Sequence, residues 1–165
     1  MGAGKTTIGR QLAKTLKKEF VDSDLEIEER TGANISWIFD VEGEEGFRKR
    51  EKKIIEELTR RKNIVLATGG GAVLAPQNRK YLQSRGTVVY LMATIGQQVE
   101  RTRHDQRRPL IQNVDNIRDK LSELMEIRDP LYREIADHVV MTNRRSPRSV
   151  SNEIVKQLAG DRVHE

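Results

Sequence analysis

The chain has 165 residues and no cysteine, which excludes disulfide scaffolds and cysteine-based metal sites. It carries a net charge of +5, but its arginines are scattered and no basic face has interleaved aromatic side chains, so small anionic ligands are favoured over nucleic acid. There is no signal-peptide pattern and no apolar run near the ~18 residues of a membrane span. We therefore expect one cytoplasmic domain, 1–165, without membrane or nucleic acid partners.

The first motif is typical of the second half of a phosphate-binding P-loop, G-x-x-x-x-G-K-[ST]. Its small residues let backbone N–H groups surround a phosphate, and the helix that follows directs its positive end at the same anion. Lys5 is expected to reach the β- and γ-phosphates and the Thr6 hydroxyl to bind Mg²⁺. The alternative is a glycine-rich turn that only starts a helix. The predicted nucleotide-binding residues are Gly2, Ala3, Gly4, Lys5, Thr6 and Thr7.

A short predicted strand, Phe20–Val21, runs into Asp22, Ser23 and Asp24. Two carboxylates at the end of a strand indicate a site for a metal or a substrate hydroxyl. Alternatively, Asp24 only caps the next predicted helix, Leu25–Arg30.

Two helical patterns follow, one capped by Ser36 and one running from Glu44 to Lys62. Arg48 and Glu51 are three residues apart and share a face of the second. They are either an ordinary surface ion pair, which would be worth little, or part of a functional site after the Glu- and Gly-rich run that precedes them.

The apolar run Ile64–Thr68 is typical of a parallel strand buried on both faces. It leads into three glycines, Gly69, Gly70 and Gly71. Glycines at the carboxyl end of a strand allow a ligand to approach the backbone, and open α/β sheets bind ligands at that end. A flexible turn is the alternative.

After a helix from Pro76 to Arg85, a strand Val88–Leu91 and a helix capped by Thr94, the segment Arg101–Leu110 is dense in arginine. Such a segment predicts a lid that closes over phosphates, with a solvated charged loop as the alternative.

The C-terminal part of the chain completes an alternation of strands and helices, which predicts an α/β fold with helices on both faces of a parallel sheet. The predicted elements are a helix Asp115–Ile127, a break at Arg128-Asp129-Pro130, a helix Leu131–Ala136, a strand His138–Thr142 and a closing helix with Ser146 as cap and Pro147 first.

Six motifs, in this order and spacing, resemble those of the shikimate kinases, and the resemblance extends from Met1 to the final helix. They are Gly2–Thr7, Asp22–Asp24, Glu42–Glu44 with Phe47, Arg48 and Glu51, Thr68–Gly71, Arg107–Leu110 and Arg128–Tyr132. The resemblance implies a three-layer P-loop kinase fold like that of the nucleoside monophosphate kinases, with a parallel sheet of strand order 2-3-1-4-5. It also implies a helical substrate-binding segment, about 24–62, and a lid, about 103–116.

The activity implied by the resemblance is transfer of the ATP γ-phosphate to the 3-hydroxyl of shikimate, in aromatic amino acid biosynthesis. Mg²⁺ is the implied cofactor, and we expect a monomer that binds ATP and shikimate. A gluconate kinase should lack both the Arg48–Glu51 pair and the Arg128–Tyr132 stretch, and a nucleoside monophosphate kinase needs an aromatic nucleobase pocket. A catalytically inactive binding protein is the alternative from another class.

Family roles then fall on matching residues of this chain. Lys5, Asp24 and Arg108 would be catalytic: Asp24 would hold the acceptor hydroxyl and take its proton, and Arg108 would close over the phosphates. Asp22 would support Mg²⁺ through water, beside Thr6. The implied adenine-bordering residues are Arg101, Arg145 and Pro147. The implied shikimate-binding residues are Asp24, Arg48, Glu51, Gly69, Gly70, Gly71 and Arg128, with Arg48 and Arg128 on the carboxylate.

A P-loop normally connects a buried strand to a helix, yet Met1 occupies a position inside the loop. We expect that the chain as given begins at an internal methionine and lacks the first, central strand. The strands Ile64–Thr68 and Val88–Leu91 should then lie roughly 10 Å apart and share no ladder. Unpaired strand edges would make this chain fold poorly and phosphorylate weakly.

Overall fold

The computed structural model describes residues 4–102 and 116–163, where short strands alternate with helices. The strands are β1 (Glu19–Asp22), β2 (Ile64–Ala67), β3 (Val89–Met92) and β4 (His138–Met141). The helices are α1 (Lys5–Leu16), α2 (Ser23–Thr31), α3 (Ile35–Leu58), α4 (Pro76–Arg85), α5 (Ile95–Thr102), α6 (Ile117–Ile135) and α7 (Pro147–Val163), and a 3-10 turn, Ala72–Leu74, follows β2. None of the helices in these two ranges is both long and apolar enough to span a membrane.

The strands form two parallel pairs, β1 with β2 and β3 with β4. Asp22 lies opposite Ala67, so β1 and β2 end at the same edge. Within residues 4–102 and 116–163, no ladder joins β2 to β3. That absence was predicted and is confirmed. The family order 2-3-1-4-5 counts the central strand as 1, so the pairs β1–β2 and β3–β4 of this chain correspond to its outer pairs, 2-3 and 4-5.

Helices cover both faces of β2. Successive side chains of a strand point to opposite faces, so neighbouring residues of β2 enter different apolar clusters. Ile64 and Leu66 pack against one apolar cluster, whereas Val65 packs against the other. The buried members of the first cluster are Val21, Ile27, Ile35, Ile38, Phe47, Ile54 and Leu58. Those of the second are Ile8, Leu12, Val140, Val150 and Ile154.

A close contact between α1 and β1 fixes the start of α1. A Cβ atom added to Gly9 would lie 2.6 Å from the ring of Phe20, so a larger residue would force the two elements apart. Thr6 lies three residues before Gly9 and is thereby held beside the end of β1.

The start of α3 differs from the prediction. The side chain of Asn34, not Ser36, caps the helix by accepting the Trp37 N–H at 2.8 Å. The element then continues to Leu58 across a kink at Gly43, whose φ of 73° and ψ of 178° are not helical. One kinked element therefore replaces the two predicted helices.

The predicted break at Pro130 is wrong, because α6 continues through it from Ile117 to Ile135. Proline lacks the N–H that a helix interior uses and usually kinks or ends a helix. Here Leu121 and Arg128 before it and Ile135 after it are all buried, and this packing holds both sides of the helix in place. Because the helix is continuous, Arg128 and Tyr132, four residues apart, lie on one face.

Candidate active site

The described end of the P-loop motif lies beside the carboxyl end of β2. Gly4 has φ 80° and ψ 29°, a left-handed conformation that favours glycine. Lys5 opens α1, and its Nζ donates a hydrogen bond of 2.6 Å to the carbonyl of Thr68. Thr7 is exposed on the same helix. The phosphate-binding candidate thus lies where open α/β sheets bind their ligands, while Gly2 and Ala3 are outside the described residues.

Asp22 uses its two carboxylate oxygens for two different contacts. Oδ1 accepts the backbone N–H groups of Asp24 and Leu25 at 2.9 and 3.2 Å and so caps α2. Oδ2 accepts the Thr6 hydroxyl at 3.2 Å. The alternative in which Asp24 is the cap of this helix is therefore wrong.

The Thr6 and Asp22 oxygens fit an Mg²⁺ ion that is held largely by phosphate. In the described ranges, no group of three or more His, Asp or Glu side chains could hold a metal ion by itself. In phosphoryl-transfer sites, Mg²⁺ usually takes one or two protein oxygens and completes its shell with phosphate oxygens and water. A threonine hydroxyl hydrogen-bonded to one carboxylate is such a donor set.

The glycine turn after β2 packs closely against two predicted site residues. A Cβ atom at Gly69 would lie 2.8 and 3.0 Å from the carboxylate oxygens of Asp24, and one at Gly71 would lie 2.3 Å from Nη2 of Arg48. The Gly69 N–H also donates to the hydroxyl of the buried Ser23 at 3.3 Å. These glycines thus provide close packing rather than a flexible turn.

Arg48, Glu51 and Arg128 form a largely buried charged cluster. Glu51 is 1% and Arg128 3% exposed, so the surface ion-pair alternative is wrong. Arg48 donates from Nη1 to Oε1 of Glu51 at 3.0 Å and from Nη2 to Oε1 of Glu44 at 3.3 Å. In the described part of the chain, Nε of Arg48, Oε2 of Glu51 and Nε of Arg128 are buried without a hydrogen-bond partner. Such a cluster is suited to a planar anion.

Burial dominates the electrostatics of this cluster. It raises the pKa of Glu51, while the positive charge and the hydrogen bond of Arg48 oppose that rise. Burial likewise lowers the pKa of Arg128, against an opposing contribution from Tyr132. Arg48 therefore favours the ionised form of Glu51.

Arg101, a predicted nucleotide-binding residue, lies beside the described end of the P-loop motif. A Cβ atom added to Gly4 would be 3.4 Å from Nη1 of Arg101, at the C-terminal end of α5. Arg108 and the rest of the predicted lid up to residue 115 lie outside the described residues.

Arg145 and Pro147 lie at the junction of β4 and α7. Arg145 forms an ion pair with Glu153 of α7 and donates to the carbonyl of Met141 at 3.2 Å. Pro147 is the first residue of α7, and the Ser146 hydroxyl accepts the Ser149 N–H at 3.1 Å, as the sequence predicted for the cap. These contacts of Arg145 and Ser146 are therefore all with residues of β4 and α7.

Two site residues, Ser23 and Tyr132, were not predicted. Ser23 holds the Gly69 N–H, and the Tyr132 hydroxyl donates to the Gly70 carbonyl at 2.5 Å. The spacing of four residues from Arg128 could have pointed to Tyr132, but only if α6 had been predicted to continue through Pro130.

The family model for shikimate kinase matches residues 1–159. The chain belongs to the shikimate kinase family. The family, the P-loop kinase fold and the ATP-dependent shikimate kinase activity that the motifs predicted are thereby confirmed.

Individual shikimate kinases are similar to the chain along most of its length. The shikimate kinase of Vibrio parahaemolyticus is 60% identical over 158 residues, which are 96% of this chain and 91% of that protein. That of Histophilus somni is 57% identical over 155 residues, 94% of this chain and 89% of that protein. The solved structure of shikimate kinase from Acinetobacter baumannii in complex with shikimate matches with a TM-score of 0.95 at 52% identity, covering 98% of this chain and 89% of that one.

Proposed function

We propose that this chain binds shikimate on the glycine turn and transfers the ATP γ-phosphate to its 3-hydroxyl, giving shikimate 3-phosphate and ADP. One observation carries the proposal. Asp24 and Arg48, which belongs to the Arg48–Glu51–Arg128 cluster, lie against the turn Gly69–Gly71, which directly follows the Thr68 carbonyl that Lys5 contacts. A carboxylate-bearing polyol on this turn would have its acid at one end and a hydroxyl toward the phosphates.

In this proposal, Arg48 and Arg128 bind the shikimate carboxylate. A guanidinium group offers two parallel N–H donors that match a planar carboxylate, which an ammonium group cannot do. Glu51 orients Arg48 through their 3.0 Å hydrogen bond. The backbone of Gly69, Gly70 and Gly71 lines the ring of the substrate.

Asp24 would hold the acceptor hydroxyl and take its proton. Its carboxylate lies against the Cα atom of Gly69, so the backbone itself limits where it can move. Phosphoryl transfer has a loose transition state, and catalysis depends mainly on positioning and on neutralising charge. Lys5 would supply positive charge to the transferring oxygens, with Arg108 as a second source.

Thr6 would bind Mg²⁺ through its hydroxyl, and Asp22 would support it through water. When bound, the ion neutralises phosphate charge and orients the β- and γ-phosphates. The remaining nucleotide contacts in the proposal are backbone groups of Gly2, Ala3, Gly4 and Thr7 and the side chains of Arg101, Arg145 and Pro147.

A cytoplasmic location, a monomeric state, a single domain, a substrate-binding segment at about 24–62 and a lid at about 103–116 stay predictions of the sequence. Light scattering of the purified chain, with and without ATP analogue and shikimate, measures the oligomeric state directly.

A coupled assay of ADP release tests the proposed function. With ATP and Mg²⁺ present, we expect turnover with shikimate and none with gluconate, since gluconate kinase is the rival on the same architecture. Omission of Mg²⁺ should abolish turnover. Equal turnover with gluconate, or shikimate-independent ADP release alone, would refute the assignment of the substrate.

A further inference from the structure

The face of α6 that carries Arg128 also carries a tyrosine that reaches the glycine turn. Tyr132 lies one helical turn after Arg128, and its hydroxyl donates to the Gly70 carbonyl at 2.5 Å. Because Arg128 and Tyr132 lie on one face of the continuous helix, this hydrogen bond sets how far the face that carries Arg128 lies from the glycine turn. One hydroxyl group thus ties the helix that carries the buried Arg128 to the backbone of the glycine turn.

The three carbonyls of the glycine turn do not have the same kind of partner. The Gly69 carbonyl accepts the Ala72 N–H and the Gly71 carbonyl accepts the Leu74 N–H, both at 3.1 Å within the 3-10 turn. The Gly70 carbonyl instead accepts a hydrogen bond from the side chain of Tyr132. A side chain of α6 therefore fixes the middle residue of the glycine turn.

A second tyrosine fastens α6 to the sheet without touching the turn. The Tyr90 hydroxyl on β3 donates to Oδ1 of Asp129 at 2.7 Å, and Oδ2 of Asp129 accepts Nε of Arg133 at 2.9 Å. The Tyr90 and Tyr132 rings pack with their centroids 4.8 Å apart. The two rings are neighbours, but their hydroxyl groups contact different parts of the protein.

We infer that Tyr132 is a positioning residue for shikimate binding: its hydroxyl fixes the distance between the Arg128 guanidinium and the Gly70 backbone. This inference rests on the proposed role of Arg128 as a ligand of the shikimate carboxylate. A guanidinium group binds a carboxylate through two bonds only when its plane is correctly oriented. Without the Tyr132 hydroxyl, Arg128 and the glycine turn can each shift, and the substrate has to order both on binding.

Tyr132→Phe removes the hydroxyl and keeps the ring that packs against Tyr90. We expect the KM and the calorimetric Kd for shikimate to rise about tenfold, which corresponds to ~1.4 kcal/mol. The KM for ATP should change by less than about twofold, because the Tyr132 hydroxyl contacts the Gly70 carbonyl and not the Thr68 carbonyl that Lys5 contacts, and kcat should stay within about threefold.

Tyr90→Phe is the matched control, since it removes a hydroxyl group from the adjacent ring. It should lower the unfolding temperature, because the partly buried hydrogen bond to Asp129 is lost, and leave the KM for shikimate within about twofold. If Tyr90→Phe and Tyr132→Phe raise that KM equally, Tyr132 acts only through the packing of α6 and the inference is overturned.

A double-mutant cycle with Arg128→Ala separates this inference from the proposed function. If Tyr132 acts through Arg128, adding Tyr132→Phe to Arg128→Ala should raise the shikimate Kd by less than about twofold more. A full additional tenfold rise would show an independent effect and overturn the inference. An unchanged Kd in Arg128→Ala alone would instead refute the role of Arg128, whereas a raised Kd there with a normal Tyr132→Phe would refute only the role of Tyr132.

Discussion

Gly71→Ala should weaken shikimate binding without disturbing the fold. The added Cβ atom would lie 2.3 Å from Nη2, 2.5 Å from Nη1 and 2.6 Å from Cζ of Arg48. Ordinary contact needs about 3.4 Å or more, so the guanidinium must retreat by roughly 1 Å. A charge-assisted hydrogen bond of ~2.9 Å would then be broken. The backbone at Gly71 has φ −89° and ψ 0°, which alanine tolerates, and the clash is with the end of a long side chain.

The size of the effect follows from what Arg48 would lose. Hydrogen bonds that involve a charged group contribute about 1.5–3 kcal/mol each. Loss of one of them raises the KM and Kd for shikimate by roughly 10- to 150-fold. The proposed ATP site lies beside Lys5 and the Thr68 carbonyl, so the KM for ATP should be nearly unchanged.

Gly69→Ala, two residues away, provides an internal comparison. Its Cβ atom would meet the Asp24 carboxylate at 2.8 and 3.0 Å instead of a guanidinium group. Because Asp24 is proposed to position the reacting hydroxyl, kcat should fall, by about 10²-fold for a displacement approaching 1 Å. The two neighbouring substitutions should therefore separate binding from turnover.

Gly86→Ala is the control, because its backbone is fully extended and no atom lies within 4 Å of the added Cβ. Initial rates with each substrate varied, calorimetry with shikimate and thermal unfolding should be measured on all three variants. The reasoning would be refuted by a folded Gly71→Ala variant with a shikimate Kd within about threefold of the unsubstituted chain. It would also be refuted if Gly71→Ala and Gly69→Ala changed the KM for shikimate, kcat and the unfolding temperature to the same extent.

Three further substitutions test single side chains. Arg48→Ala should raise the KM for shikimate by tenfold or more with little effect on ATP, and a change below about threefold, under ~1 kcal/mol, would exclude a contact between Arg48 and the shikimate carboxylate. Asp24→Asn should lower kcat by about 10²–10⁴-fold while calorimetric ATP binding is retained, so near-normal turnover would exclude its proposed role. Burial alone would raise the pKa of Asp129, but hydrogen bonds from Tyr90 and Arg133 outweigh it and lower that pKa below its ordinary 3.8. The stabilisation is therefore present above the unfolded pKa and lost as pH falls through the folded one. Asp129→Asn should cost about 1–2 kcal/mol of unfolding free energy at pH 7 and progressively less below about pH 4 in urea titrations, and a difference independent of pH would contradict this.

Local sequence signals predicted the elements well where one residue type determines the structure. Thr94 and Ser146 cap α5 and α7 as expected, each by accepting an N–H three residues on. The carboxyl end of the apolar run Ile64–Thr68 was placed correctly next to the glycine turn. The prediction failed at Pro130, where burial of residues on both sides outweighs the helix-breaking tendency of proline.

The site was predictable as a set of motifs but not as a set of contacts. Six motifs in order brought Asp24, Arg48 and Arg128 into one hypothesis, and the structure places Asp24 and Arg48 against the same turn. No periodicity in the sequence shows that Asp22 rather than Asp24 caps α2, or that Tyr132 reaches Gly70. Those contacts depend on how β1 and α6 pack against the turn, which is a property of the tertiary fold.

The balance of charge around the glycine turn explains why a substrate with one carboxylate suits this site. Arg48 and Arg128 carry two positive charges, and Glu51, when ionised, carries one negative charge among them. Glu44 adds little because its side chain is 50% exposed and screened by water. Asp24 also interacts electrostatically with Glu51, but it is proposed to face the reacting hydroxyl, so within the cluster itself two arginines stand against one carboxylate. A buried charge without a counterion costs several kcal/mol, and in the proposed complex the substrate carboxylate would be that counterion. A neutral polyol would leave this imbalance in place, and a dicarboxylate would reverse its sign. If Arg48 and Arg128 bind the substrate as proposed, this cluster favours a monocarboxylate, independently of which hydroxyl accepts the phosphate.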